Sequence, residues 1–191
     1  MKLDKKIEAK IKREALKLLK SGRTNWDARH TLCAVKWIKK LIKLEGGDER
    51  ILIPAIYLHD TGYKELPLGY NHHQCLTAKV SHARRSAENV KIFFPKLNYF
   101  TPKEISRIAY LAANHDKHNH IRAEDLQLIF EADGFAQIDW YDCRPSYDKK
   151  NCAHFLKTTF KHRKKYIKTK SGKKILKQLL AKTEKYLADW K

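Results

Sequence analysis

The sequence predicts an all-α fold, a single-domain helical bundle, on three observations. Apolar residues recur at helical spacing along almost the whole chain of 191 residues. Almost no stretch alternates as a strand does. The breaks "SGRTN", "EGGDE", "DTGYKELPLGYN", "NYFTP" and "KSG" carry the Gly, Pro, Asn and Asp that end helices.

Taken in order, amphipathic periodicity places helices near residues 4–20, 25–44, 48–59, 76–94, 102–115, 122–140, 149–169 and 172–190. Thr101-Pro102 followed by Glu104 reads as a helix start with proline at the first position. Residues 64–81 lack a clear period, and a run of that length suits a surface loop over a functional site. We divide the chain into an N-terminal helix (1–24), a central core (25–140) and a lysine-rich C-terminal part (141–191) of the same globule. In that last part Phe155, Phe160, Tyr166, Ile167, Ile175, Leu179 and Leu180 favour a packed helical hairpin with its lysines in solvent over a free nucleic-acid arm.

Composition narrows the setting. The 41 Lys and Arg against 21 Asp and Glu give a formal net charge of +20, which attracts polyanions: phosphorylated metabolites, nucleic acid or acidic surfaces. The four cysteines are dispersed without a C-x-x-C pair, as reduced thiols are. The first twenty residues mix charge through every turn and lack a signal-peptide core, and no apolar run approaches a membrane span. We expect a cytoplasmic protein.

The chemistry is in where histidines and aspartates fall. Trp26, His30, Cys33, Trp37 and Leu41 share one helix face, so His30 points inward; Leu52, Ala55, Ile56 and His59 do the same, with Asp60 following into the turn. His82 lies with Ser86, Val90 and Phe93, and His115 with Ile108 and Leu111 or Ala112. Asp133 shares its face with Leu126, Ile129, Phe130 and Ala136. A carboxylate there requires a cation or strong donors. One inward histidine is usually a core residue bonded to a carbonyl, but imidazoles and carboxylates drawn from five helices to one core form a ligand set for a transition metal.

The order His30, His59-Asp60, Asp133 resembles the H…HD…D signature of the HD-domain superfamily, and His82 and His115 match the two further histidines of its dinuclear members. The resemblance spans roughly residues 25–140, through "RHTLCAV", "LHDTGYKE", "HARRSAENV" and "IFEADGFAQID". It implies that His30, His59, Asp60 and Asp133 hold one ion, and His82 and His115, with Asp60 bridging, a second. The ions expected are divalent, drawn from Mn, Fe, Co, Ni or Zn, with Mg also admissible. The implied activity is phosphomonoester or phosphodiester hydrolysis of a nucleotide or other small phosphorylated metabolite.

Around that set, Lys64 lies just past the Asp60 turn, placed to contact a phosphate oxygen or the leaving group, and Asp60 and Lys64 are the expected catalytic residues. Arg84, Arg85, Lys117 and His118, two and three residues beyond His82 and His115, are candidates for the substrate rim or for a solvated basic face. Arg23, Asn25, Trp26 and Arg29 flank the first histidine. Asn114 and Asp116 are candidates for fixing an imidazole tautomer. His72, His73, Cys75, His118 and His120 lack the spacing of a structural zinc finger. Two other functions fit the same residues: a di-iron oxygenase, against which the short interval from His115 to Asp133 counts, and a non-catalytic module binding nucleic acid through the basic surface.

Overall fold

The computed structural model describes residues 1–23, 25–63 and 72–190, excluding the side chains of 72–76 and 120. Helices α1 (Lys5–Leu19), α2 (Asp27–Glu45), α3 (Glu49–Leu58), α4 (His72–Phe93), α5 (Pro102–Asn114) and α6 (Glu124–Ile138) are followed by α7 (Lys149–Phe155) and α8 (Lys170–Asp189). Between the last two, the chain continues as a π-helical turn (Leu156–Phe160), a short α-helical stretch (Lys161–Arg163) and a 3₁₀ turn (Lys164–Tyr166). Among the described residues there is no strand, and none of their helices is long and apolar enough to cross a membrane.

The ends follow local chemistry. Asp4 and Asp48 cap α1 and α3 by accepting from backbone N–H groups of the first turn. Thr101 and Glu104 form a reciprocal capping box ahead of Pro102. Two expectations need correction. Helix α4 begins at His72, so much of the loop expected over 64–81 is helix; the polar "NHHQ" start hides the period, and residues 64–71 lie outside the described residues. The helix expected over 149–169 is broken by its π and 3₁₀ turns.

Helix α3 is the centre of the fold: Ile51 through Leu58 are all buried. A helix apolar all round must be enclosed, and α1, α2, α5 and α6 pack about it. The apolar core continues into the C-terminal part through Phe160, Ile167, Ile175 and Leu179. Buried Glu131 ties that part down by accepting from Lys168 N (2.8 Å), Thr169 N (2.9 Å) and Thr169 Oγ1 (2.6 Å). Cys33, Cys143 and Cys152 are buried free thiols.

Candidate metal centre

Enclosing α3 brings its C-terminal end, His59 and Asp60, against three neighbours. His30 arrives on α2, His115 ends α5, and Asp133 comes from the middle of α6. His82 arrives on α4, whose docking depends on Gly62: a Cβ there would stand 1.9 Å from the His82 carbonyl oxygen. That turn is further pinned by Ser86 Oγ, which accepts from Gly62 N–H at 2.9 Å, and by Arg85 Nε, which donates to the Gly62 carbonyl at 2.7 Å. All six of these His and Asp residues are buried.

Their donor atoms converge in two halves. In the first, His30 Nε2 lies 2.8 Å from Asp133 Oδ1 and 3.6 Å from Asp60 Oδ2. His59 Nε2 lies 3.3 Å from His30 Nε2, 3.5 Å from Asp133 Oδ1 and 3.4 Å from Asp60 Oδ2. In the second, His82 and His115 Nε2 are 3.3 Å apart, and each is 3.5 Å from Asp60 Oδ1. Asp60 thus presents one carboxylate oxygen to each half. Two ligand atoms bound to one ion at about 2.1 Å, roughly 90–110° apart, lie about 3.0–3.4 Å from each other; the spacings cluster around that bite.

The tautomers sharpen this. His59, His82 and His115 each place Nδ1 at 2.6–2.8 Å from the carbonyl three residues earlier, of Ile56, Lys79 and Ala112. A carbonyl only accepts, so each Nδ1 carries the proton and the neutral ring leaves a lone pair on Nε2. In the second half two such lone pairs face one another in a buried site. A shared cation resolves that repulsion, and the sets His30-His59-Asp60 and Asp60-His82-His115 can each hold a metal ion. The expected tautomer-fixing groups do other things: Asn114 Nδ2 donates to the Tyr110 carbonyl, and Asp116 faces Lys79 at 3.7 Å.

Two guanidiniums flank the centre. Arg23 Nη2 donates to Asp60 Oδ2 at 2.6 Å while its Nε meets buried Asp27 at 2.6 Å, and Arg163 Nη2 donates to Asp133 Oδ2 at 2.7 Å. Burial alone would raise both aspartates. His59 and Arg23 instead hold Asp60 well below the usual carboxylate range, and Arg163 with the His30 hydrogen bond does the same for Asp133. With no ion bound, burial disfavours a charged His59, yet Asp60 and Asp133 outweigh it and lift the imidazole to about 9. Burial and His115 push His82 down to about 4.

The centre opens into a cavity of about 190 Å³ whose walls include Trp26, Tyr63, Lys79, Trp140, Tyr147 and Phe155. Trp26 stacks on His30 and Tyr63 on His82, with ring centroids 5.2 and 4.3 Å apart. Of the other expected site residues, Lys64 lies outside the described residues. Arg84 pairs with Glu88 on a side chain 70% exposed, and Lys117 contacts Asn114. Both, with His118, line a neighbouring open groove rather than the cavity. Arg85 holds the Gly62 turn, and Arg29 binds the Asn25 carbonyl at 2.9 Å. Sequence reasoning missed Asp27, Gln137 and Arg163; an Arg-x₃-Asp pair at 23 and 27 was the readable signal for the first.

The chain matches no family model, no curated protein and no solved structure.

Proposed function

We propose that the chain is a metal-dependent phosphohydrolase of the HD-domain type, acting on a nucleotide or another small phosphorylated compound. The observation that carries this reading is Asp60, whose two oxygens each face a separate pair of imidazoles at 3.4–3.6 Å. His30, His59, Asp60 and Asp133 would hold one ion and Asp60, His82 and His115 the other. When bound, such a pair supplies an activated water and neutralises phosphate charge during in-line displacement.

The chain's own groups prepare that chemistry. The carbonyls of Ile56, Lys79 and Ala112 keep three Nε2 lone pairs aimed inward. His59 with Arg23 favours the ionised form of Asp60, and Arg163 with the His30 hydrogen bond that of Asp133. Three buried carboxylates (Asp27, Asp60, Asp133) against these two guanidiniums leave one net negative charge, which two divalent ions would turn strongly positive. A phosphate dianion offsets that charge; a neutral substrate does not. Trp26, Tyr63, Tyr147 and Phe155 narrow the access of bulk water, and Lys79 lines the cavity with an ammonium suited to a non-bridging oxygen.

The test is release of inorganic phosphate from nucleoside mono-, di- and triphosphates and from p-nitrophenyl phosphate by protein reloaded with manganese, cobalt or zinc. Release that requires the ion and falls to background in His82→Ala supports hydrolysis. No release from any ester, with oxygen uptake by iron-loaded protein, would replace it with oxygenase chemistry.

A further inference from the structure

We infer that Arg163, on the lysine-rich C-terminal segment, is a positioning residue of the metal centre that aims Asp133 at its ion. The inference rests on the metal reading above and adds a part of the chain outside the H…HD…D pattern. Arg163 Nη2 donates both to Asp133 Oδ2 and to the Phe130 carbonyl, at 2.7 Å each, and the guanidinium lies 4.0 Å over the Phe130 ring. Gln137 Nε2 lies between the two carboxylate oxygens, 3.2 Å from Oδ2 and 3.3 Å from Oδ1. With Oδ2 occupied in this way, Oδ1 is the oxygen left facing His30 and His59.

Two features of the backbone serve this contact. Arg163 reaches α6 over Gly134, where an added Cβ would stand 2.7 Å from Arg163 Nε. A side chain at 134 would therefore oblige the Arg163 side chain to shift. On the other side, Phe155, Thr159 and Arg163 follow one another at steps of four and all line the cavity. Steps of four drift by about 40° each on an α-helix, and the wider π-turn over Leu156–Phe160 removes most of that drift. Arg163 Nε is buried with no hydrogen-bond partner among the described residues.

The contact also has a chemical purpose. Freed of Arg163, Asp133 would be a buried carboxylate able to rotate, and Oδ1 would no longer be held toward His30 and His59. Groups that hydrogen-bond metal ligands typically account for about 10–100-fold in affinity.

The experiment titrates cobalt into the full-length, metal-stripped chain, following visible absorbance and heat, in wild type, Arg163→Met, Arg163→Lys and Gly134→Ala, each checked for its fold by circular dichroism. Arg163→Met should weaken one ion by about 10–100-fold and leave the other unchanged. Arg163→Lys should recover part of the loss, because one ammonium keeps the charge but does not span both acceptors. Gly134→Ala, which displaces Arg163 while keeping its charge, should copy Arg163→Met, and the two together should lose no more than either alone. The loss should persist in a His82→Ala background, where the remaining ion is the one beside Asp133, and vanish in Asp133→Ala. Two ions bound normally by a folded Arg163→Met, or an equal loss with Asp133 absent, overturns the inference and leaves the centre standing. Wild type that binds no ion overturns the reading of the centre and this inference together.

Discussion

The Asp133 half of the centre and the His82 half hold their imidazole pairs alike, with 3.3 Å between Nε2 atoms in each, yet they differ in charge. Within 3.6 Å the first has Asp133 and one oxygen of Asp60 beside His30 and His59, while the second has the other oxygen of Asp60, with Asp116 acting on His82 from farther off. Burial acts against a protonated imidazole in both. Asp60 and Asp133 reverse it for His59, which rises to about 9, whereas for His82 the facing His115 adds to burial and together they outweigh Asp60 and Asp116, so it falls to about 4. In the first half a proton can stand in for an ion, while in the second the facing lone pairs await a cation. The second carboxylate in direct contact, Asp133, distinguishes the first half; the spacing of the imidazoles does not.

The largest expected effect follows from donor number. His82→Ala should reduce the stoichiometry from two ions to one, since the first half keeps His30, His59, Asp60 and Asp133. Asp133→Ala should instead leave three donors in each half and weaken the first ion by orders of magnitude without removing the second. Elemental analysis after reloading measures both. Loss of both ions in either variant would erase the distinction between the halves.

A smaller effect appears in metal-free protein as opposite dependences on pH. The folded value of His82, about 4, lies below its unfolded value near 6.5, so its contribution is present above 6.5 and is lost as pH falls toward 4. The folded value of His59, about 9, lies above its unfolded value, so its contribution is complete below 6.5 and is lost as pH rises toward 9. Melting temperatures of chelator-treated protein across this range should show His82→Gln flattening the acid side and His59→Gln the alkaline side. A single variant flattening both sides would show that the halves titrate as one unit.

Much of this centre was legible in the sequence, because an imidazole or carboxylate turned inward on each of five apolar helix faces needs a polar partner in the core, and a cation is the partner all of them can share. The need of Asp133 for a cation was also legible from its apolar neighbours. The guanidinium that meets it was not: Arg163 lies thirty residues away in a segment crowded with lysine, and only the crossing over Gly134 singles it out. The groups that set the histidine tautomers were illegible for a different reason. They are carbonyls of Ile56, Lys79 and Ala112, and a backbone acceptor leaves no mark in residue identity. Asn114 and Asp116 looked suitable only because they are polar and adjacent. The start of α4 was obscured because "NHHQC" has no apolar stripe.

The most direct test of the central claim, one carboxylate serving two ions, is metal content per chain in wild type and Asp60→Ala, both reloaded with manganese and desalted. Two equivalents in wild type and neither ion retained in the variant, with circular dichroism unchanged, is the predicted result. Two equivalents in both proteins would contradict it.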